Sequence, residues 1–187
     1  MSYNLRPKEL SEPTKILEKM KKNPLALELF QTTNKQRRVE GKPPIQVRLW
    51  RNIEWYGDSD AETGEIRIKN SNTQEVQLET LIFELCNISR VDPPNLNLAI
   101  RRYPMRRENY IREMEKTEWE AGNRMLKIYN YGVTHLGWNP TLLKENIELF
   151  KQPFEQYYAD LYTYDEGKKH CEHYGSWWDE IDEYMNA

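Results

Sequence analysis

What this sequence holds little of narrows it first. Two cysteines in 187 residues, Cys86 and Cys171, cannot frame a disulfide-stapled secreted fold, and a reducing compartment is the simpler expectation. Three histidines, of which His170 and His173 sit together near the end, leave no Ser-His-Asp order to propose. The eight glycines form no phosphate-cradling loop. No apolar run approaches transmembrane length, and a mean hydropathy of -0.94 gives no reason to expect a membrane. A net charge of -3 calls for neither nucleic acid nor an anionic surface. The opening MSYNLRPKEL lacks the apolar core of a signal peptide. The expected location is the cytoplasm, or the outside by a route that needs no such peptide.

Aromatic residues, by contrast, are plentiful: 12 Tyr and 6 Trp make wholesale disorder a poor account. The length suits one globular domain over residues 13–187 behind a flexible arm at 1–12. Pro13 to Lys22 and Pro24 to about Arg38 read as helices, the second with Pro at its first position. Ile45 to Trp50 and Glu65 to Lys69 alternate with a period of two, as half-buried strands do. Ile53, Trp55 and Tyr56 extend the first strand or begin another. Asp58 to Gly64 reads as a turn-rich loop.

Val76 to Arg90 is the most apolar stretch and reads as a helix packed on all sides. Through it runs one polar stripe, Thr80, Glu84 and Asn87, at helical spacing. Asn95 to Met105 is irregular or holds a short helical piece. A long helix follows from about Arg106 to Tyr129, with Ile111, Met114, Ala121, Met125 and Ile128 on one face. The gap in that apolar series falls at Glu118, a second carboxylate expected to face the core. Gly132 to Asn139 reads as a loop around His135 and Trp138. Further helices are expected from Pro140 to Phe150, Pro153 to Tyr164 and Trp177 to Met185. The class is α+β and mainly helical, with a small antiparallel or mixed sheet of short strands packed on the buried central helix.

The strand, loop and helix in TGEIRIKNSNTQEVQLETLIFELCNIS, with Phe83-Glu84-Leu85-Cys86-Asn87 at its heart, resemble the H-E-x-x-H region of a zincin-like metallopeptidase domain. The resemblance covers roughly residues 45–130, followed by a helical aromatic part at 140–187. It implies Glu84 as the catalytic carboxylate. Phe83 and Asn87 stand where the family has its two zinc-binding His residues. Phe cannot bind zinc, and an amide oxygen is a poor ligand beside imidazole. A third ligand is expected downstream, for which Glu118 and His135 are the candidates. The cofactor expectation is therefore none, or zinc held by carboxylates that have taken over ligation.

Glu84 and Glu118 could form an acid/base pair if they met, or each could be held by an Arg or a Tyr. His170-Cys171-Glu172-His173 has metal-ligand residue types without a partner cluster, so an exposed tail helix is the plainer account. Asp58 to Glu65 fails the calcium-loop pattern and reads as a turn between strands. Arg101, Arg102, Arg106, Arg107 and Arg112, around Tyr103 and Tyr110, read as a surface ion-paired with the acidic C-terminal third, with nucleic-acid or phosphate binding the weaker alternative. Tyr174, Trp177 and Trp178 are either core or the centre of a protein interface with an acidic rim.

The leading expectation is a degenerate metallopeptidase-type domain, without ordinary zinc hydrolysis, with Glu84, Asn87 and Glu118 as site residues and a protein partner or peptide substrate. The rival is a non-enzymatic interaction module (effector, immunity or adaptor protein) that uses the Tyr/Trp-rich acidic end.

Overall fold

The two alternating segments become neighbouring parallel strands, and a third strand joins them. The computed structural model describes residues 14–53, 55–90, 105–140 and 148–186. In it β1 (Gln46–Trp50), β2 (Gly57–Ser59) and β3 (Glu65–Lys69) form a mixed sheet in the order β1-β3-β2. Val47 lies opposite Ile66 and Leu49 opposite Ile68 in the parallel pair, while Asp58 opposes Arg67 in the antiparallel one. Ile66 and Ile68 are fully buried, so the alternation turns its apolar face to the core. On the other face Arg48 pairs with Glu65 at 3.0 Å.

Six helices accompany the sheet among the described residues: α1 (Thr14–Lys21), α2 (Pro24–Val39), α3 (Gln74–Ile88), α4 (Arg107–Leu136), α5 (Phe154–Leu161) and α6 (Asp165–Asn186). The fold is thus mainly helical α+β with a small mixed sheet. Two compact units divide the chain, Met1–Ser89 with Lys127–Leu143, and Arg90–Leu126 with Lys144–Ala187.

In the first unit α3 packs against α1, α2, β2 and β3. Thr73 caps it, its hydroxyl accepting from the Val76 amide. Two buried polar residues tie loops to this core. Asn23 caps α2 through the Leu25 and Ala26 amides and donates its Nδ2 to the Ile128 carbonyl at 2.8 Å. The Arg37 guanidinium donates to three backbone carbonyls, those of Pro43, Ala61 and Glu62. The turn between β2 and β3 is held by Asp60, whose carboxylate accepts from the Glu62 and Thr63 amides, as a strand-to-strand turn requires.

In the second unit α5 packs on α6. The core there includes Tyr110, Met114, Phe150, Tyr157, Leu161 and Tyr174.

Three boundaries depart from the sequence reading. Gly57–Ser59 is a strand, where Asp58 and Ser59 were expected to lie in a loop; Asp58 accepts from Arg67 Nε and Nη2 at 2.6 and 2.8 Å, which ties β2 to β3. The long helix runs on through Gly132 and His135 to Leu136, because Gly132 leaves room for the Trp138 ring. The last helix begins at Asp165 rather than Trp177, since Gly167 and Gly175 seat close neighbours within it. The arm at 1–12, most of the Asn95 to Met105 segment, Arg101 to Tyr103 and residues 141–147 lie outside the described residues.

Candidate functional site

Glu84 occupies the middle of the polar stripe on α3 and is 6% exposed. Strand β2 rides directly on that stripe. Gly57 permits the approach, because a Cβ there would overlap the Thr80 methyl and the Arg67 carbonyl. The strand brings Ser59, whose hydroxyl donates to Glu84 Oε2 at 2.8 Å. Asn87, one turn on, donates its Nδ2 to the same oxygen at 3.5 Å. Thr80 turns its hydroxyl back to the Val76 carbonyl. The predicted residues Glu84 and Asn87 are therefore joined, with Ser59 as the partner that sequence reasoning missed. A hydroxyl and, at longer range, an amide thus meet one oxygen of this buried carboxylate.

Glu118 belongs to the second unit and faces inward as its position in the apolar series requires. Its Oε1 accepts from the Tyr174 hydroxyl at 2.8 Å and from Arg90 at 3.5 Å. One turn before it stands a carboxylate that the sequence reading passed over. Glu115 is 0% exposed. His170 Nδ1 lies 2.9 Å from its Oε1, the Tyr157 hydroxyl donates to Oε2 at 3.4 Å, and the Cys171 thiol reaches Oε1 at 3.6 Å. The available signal was spacing: Glu115 is four residues after buried Ile111 and seven before buried Gly122. His170 and Cys171 lie on the inner side of α6, not on an exposed tail.

The electrostatics of this cluster run in one direction. Burial, and after it the Glu115 carboxylate, pushes the Cys171 thiol up to about 12. Such a thiol stays protonated at neutral pH and is a poor nucleophile. Burial and then Glu118 hold the Tyr174 phenol well above its ordinary range, and burial and then Glu115 do the same for Tyr157. Two carboxylates met by hydroxyl, imidazole, thiol and guanidinium groups form a network that ties α4, α5 and α6 to one another. A buried carboxylate beside an imidazole also orients that ring.

The aromatic end divides by depth. Tyr174 is buried in the network just described, and Trp178 is half-buried with its Nε1 donating to the Met105 carbonyl at 3.0 Å. Of the three expected interface residues, Trp177 is the exposed one, at 39%. It packs edge-on against His173 and Tyr174. The spacing of four, three and four puts His173, Trp177, Glu180 and Tyr184 along one outer strip of α6, and Tyr184 is 76% exposed.

His135 is exposed in the last turn of α4, its ring tilted against Tyr131. It belongs to the first unit and Glu118 to the second. Among the described residues no group of three or more His, Cys, Asp or Glu is placed to hold a metal ion. In the arginine cluster Arg107 meets Glu172 at 3.0 Å and Asp179 at 3.2 Å, Arg112 pairs with Glu155, and Arg106 is exposed. No helix among the described residues is long and apolar enough to cross a membrane. No family model, no curated protein and no solved structure matches the chain.

Proposed function

We propose that this chain is a protein-binding module whose contact surface is the outer strip of α6. One observation carries the reading: Trp177 and Tyr184 are exposed on a helix whose inner side is already anchored through His170, Cys171, Tyr174 and Trp178. Large aromatics held rigidly in water are the residues from which interface hot spots are made. The three carboxylates that sequence and structure single out have protein donors within reach, which is the state expected of scaffold groups.

The test is capture with the parent chain and with a Trp177→Ala, Tyr184→Ser variant of unchanged circular dichroism. A protein identified by mass spectrometry that rebinds the parent in purified form, and not the variant, is the expected result. Equal binding by both refutes this placement of the surface.

A second reading keeps the degenerate metallopeptidase-type domain, with Glu84 as its central residue. What favours it is the succession of β3, a short loop and a buried α3 carrying Glu84, with Ser59 and Asn87 on the carboxylate. Glu84→Gln is its test. A peptide-cleaving activity lost in this variant while its melting temperature holds would favour this reading over binding alone.

A further inference from the structure

The outer side of α6 carries a charge pattern as well as aromatic rings. Between Glu172 and Glu183 there are five acidic residues and no Lys or Arg. Arg107 engages two of the five, Glu172 and Asp179. Glu180 and Glu183 lie one turn apart and exposed, beside Trp177 and Tyr184 on the same outer side. Carboxylates interleaved with indole and phenol faces suit one kind of ligand group best. A guanidinium or ammonium can pair with the acid and lie on the ring at once.

We infer that the α6 surface takes a cationic protein segment, with Lys or Arg spaced to meet Glu180 and Glu183 and apolar side chains to cover Trp177 and Tyr184. The inference rests on the binding role proposed above and names the class of its partner. The same side chains disfavour an acidic segment, because like charges brought together at a desolvating contact repel. Aromatic burial supplies affinity, and the acids supply orientation and association rate.

The experiment titrates the full chain into a labelled synthetic peptide that bears Arg and Leu along one helical face, read by fluorescence anisotropy. Three variants accompany the parent. Glu180→Lys with Glu183→Lys reverses the surface. Glu18→Lys with Glu28→Lys, both exposed in the first unit, makes the same change in net charge elsewhere. Trp177→Ala keeps the charge and removes the ring. Reversal on α6 is expected to weaken binding by about tenfold or more, and the distant reversal by far less, with the contact fading as salt rises. Trp177→Ala is expected to weaken it by about fivefold or more.

Equal loss in the two charge reversals would reduce the effect to net charge and overturn the inference. So would a peptide that does not bind. Either result would leave the capture experiment with Trp177→Ala, Tyr184→Ser to judge the surface by itself. A chain that doubles in mass without peptide, and returns to monomer in the α6 reversal, would put a second copy on this surface and likewise overturn the foreign cationic partner.

Discussion

Replacing Glu115 by Gln separates a structural carboxylate from a functional one. The side chain is 0% exposed and collects the His170 ring, the Tyr157 hydroxyl and the Cys171 thiol. The 2.9 Å contact to His170 is the strong member, and a hydrogen bond to a charged group contributes about 1.5–3 kcal/mol. The contacts at 3.4 and 3.6 Å are long and together contribute about 1 kcal/mol. Glutamine keeps one acceptor oxygen but turns an amide N–H toward groups that are themselves donors. The expected loss is therefore about 3 kcal/mol, roughly 6–12 °C in melting temperature for a chain of this size. Urea unfolding followed by circular dichroism would measure it, and a cycle with His170→Ala would isolate the pair at about 1.5–3 kcal/mol. A variant as stable as the parent, or more stable, would refute the scaffold assignment. Gain on removing a buried charge is the mark of a site strained for activity.

Other outcomes follow from the same packing. Asn23→Ala is expected to lose about 1–3 kcal/mol, since it removes a helix cap and the buried hydrogen bond to the Ile128 carbonyl. Asn23→Ser, which keeps a capping oxygen, should lose less in the same urea assay. Gly132→Ala would raise stability in an ordinary exposed helix by about 1 kcal/mol, but here its Cβ meets the Trp138 ring. A fall of about 1–3 kcal/mol is expected instead, and a rise in melting temperature would remove the packing argument. Alkaline pH supplies a signed test. Burial lifts Cys171 from 9.0 to about 12, and Tyr110 and Tyr129 from 10.0 to about 12. Folded values above the unfolded ones mean that stability is whole below about pH 9 and is lost as pH climbs toward 12, by up to about 1.4 kcal/mol per pH unit for each group. Urea midpoints that stay flat from pH 8 to 11 would contradict this.

The legible parts of the fold were those written in periodicity. Alternation marked β1 and β3, and the all-round apolar run marked α3, because each pattern follows from burial alone. The misreadings share a cause. Gly132 was read as opening a loop, and the last helix was begun beyond Gly167 and Gly175, yet each glycine lies within a helix as a seat for a close neighbour: the Trp138 ring, the Leu161 carbonyl and the Arg107 guanidinium. The glycine that marks the end of α4 is Gly137, at φ 68°, five residues beyond the one the sequence suggested. Sequence shows that a residue lacks a side chain, and only the fold shows whether freedom or room was needed. Strand β2 was hidden for a related reason, its pairing resting on Arg67 gripping Asp58 across the sheet rather than on propensity.

The candidate residues followed the same division. Glu84 and Glu118 were legible because a carboxylate in an apolar series is conspicuous, and both are indeed buried. Their partners were not, since Ser59 reaches Glu84 across 25 residues of sequence and Tyr174 reaches Glu118 across 56. Glu115 was lost beside Met114, although it shares the inward side with Ile111 and Gly122. For the aromatic end the sequence posed an alternative, core or interface, and α6 holds both a buried and an exposed ring. Tyr174 went to the core, where a phenol can donate to a buried carboxylate, while Trp177, three residues on, lies toward solvent. One helix thus spends its inner side on hydrogen bonds that fix its position and keeps on its outer side the rings and acids whose placement that position determines. Mutations at Glu115 or Glu118 should accordingly weaken binding at Trp177 only as far as they loosen α6, and those at Glu180 or Glu183 should weaken it with the melting temperature unchanged.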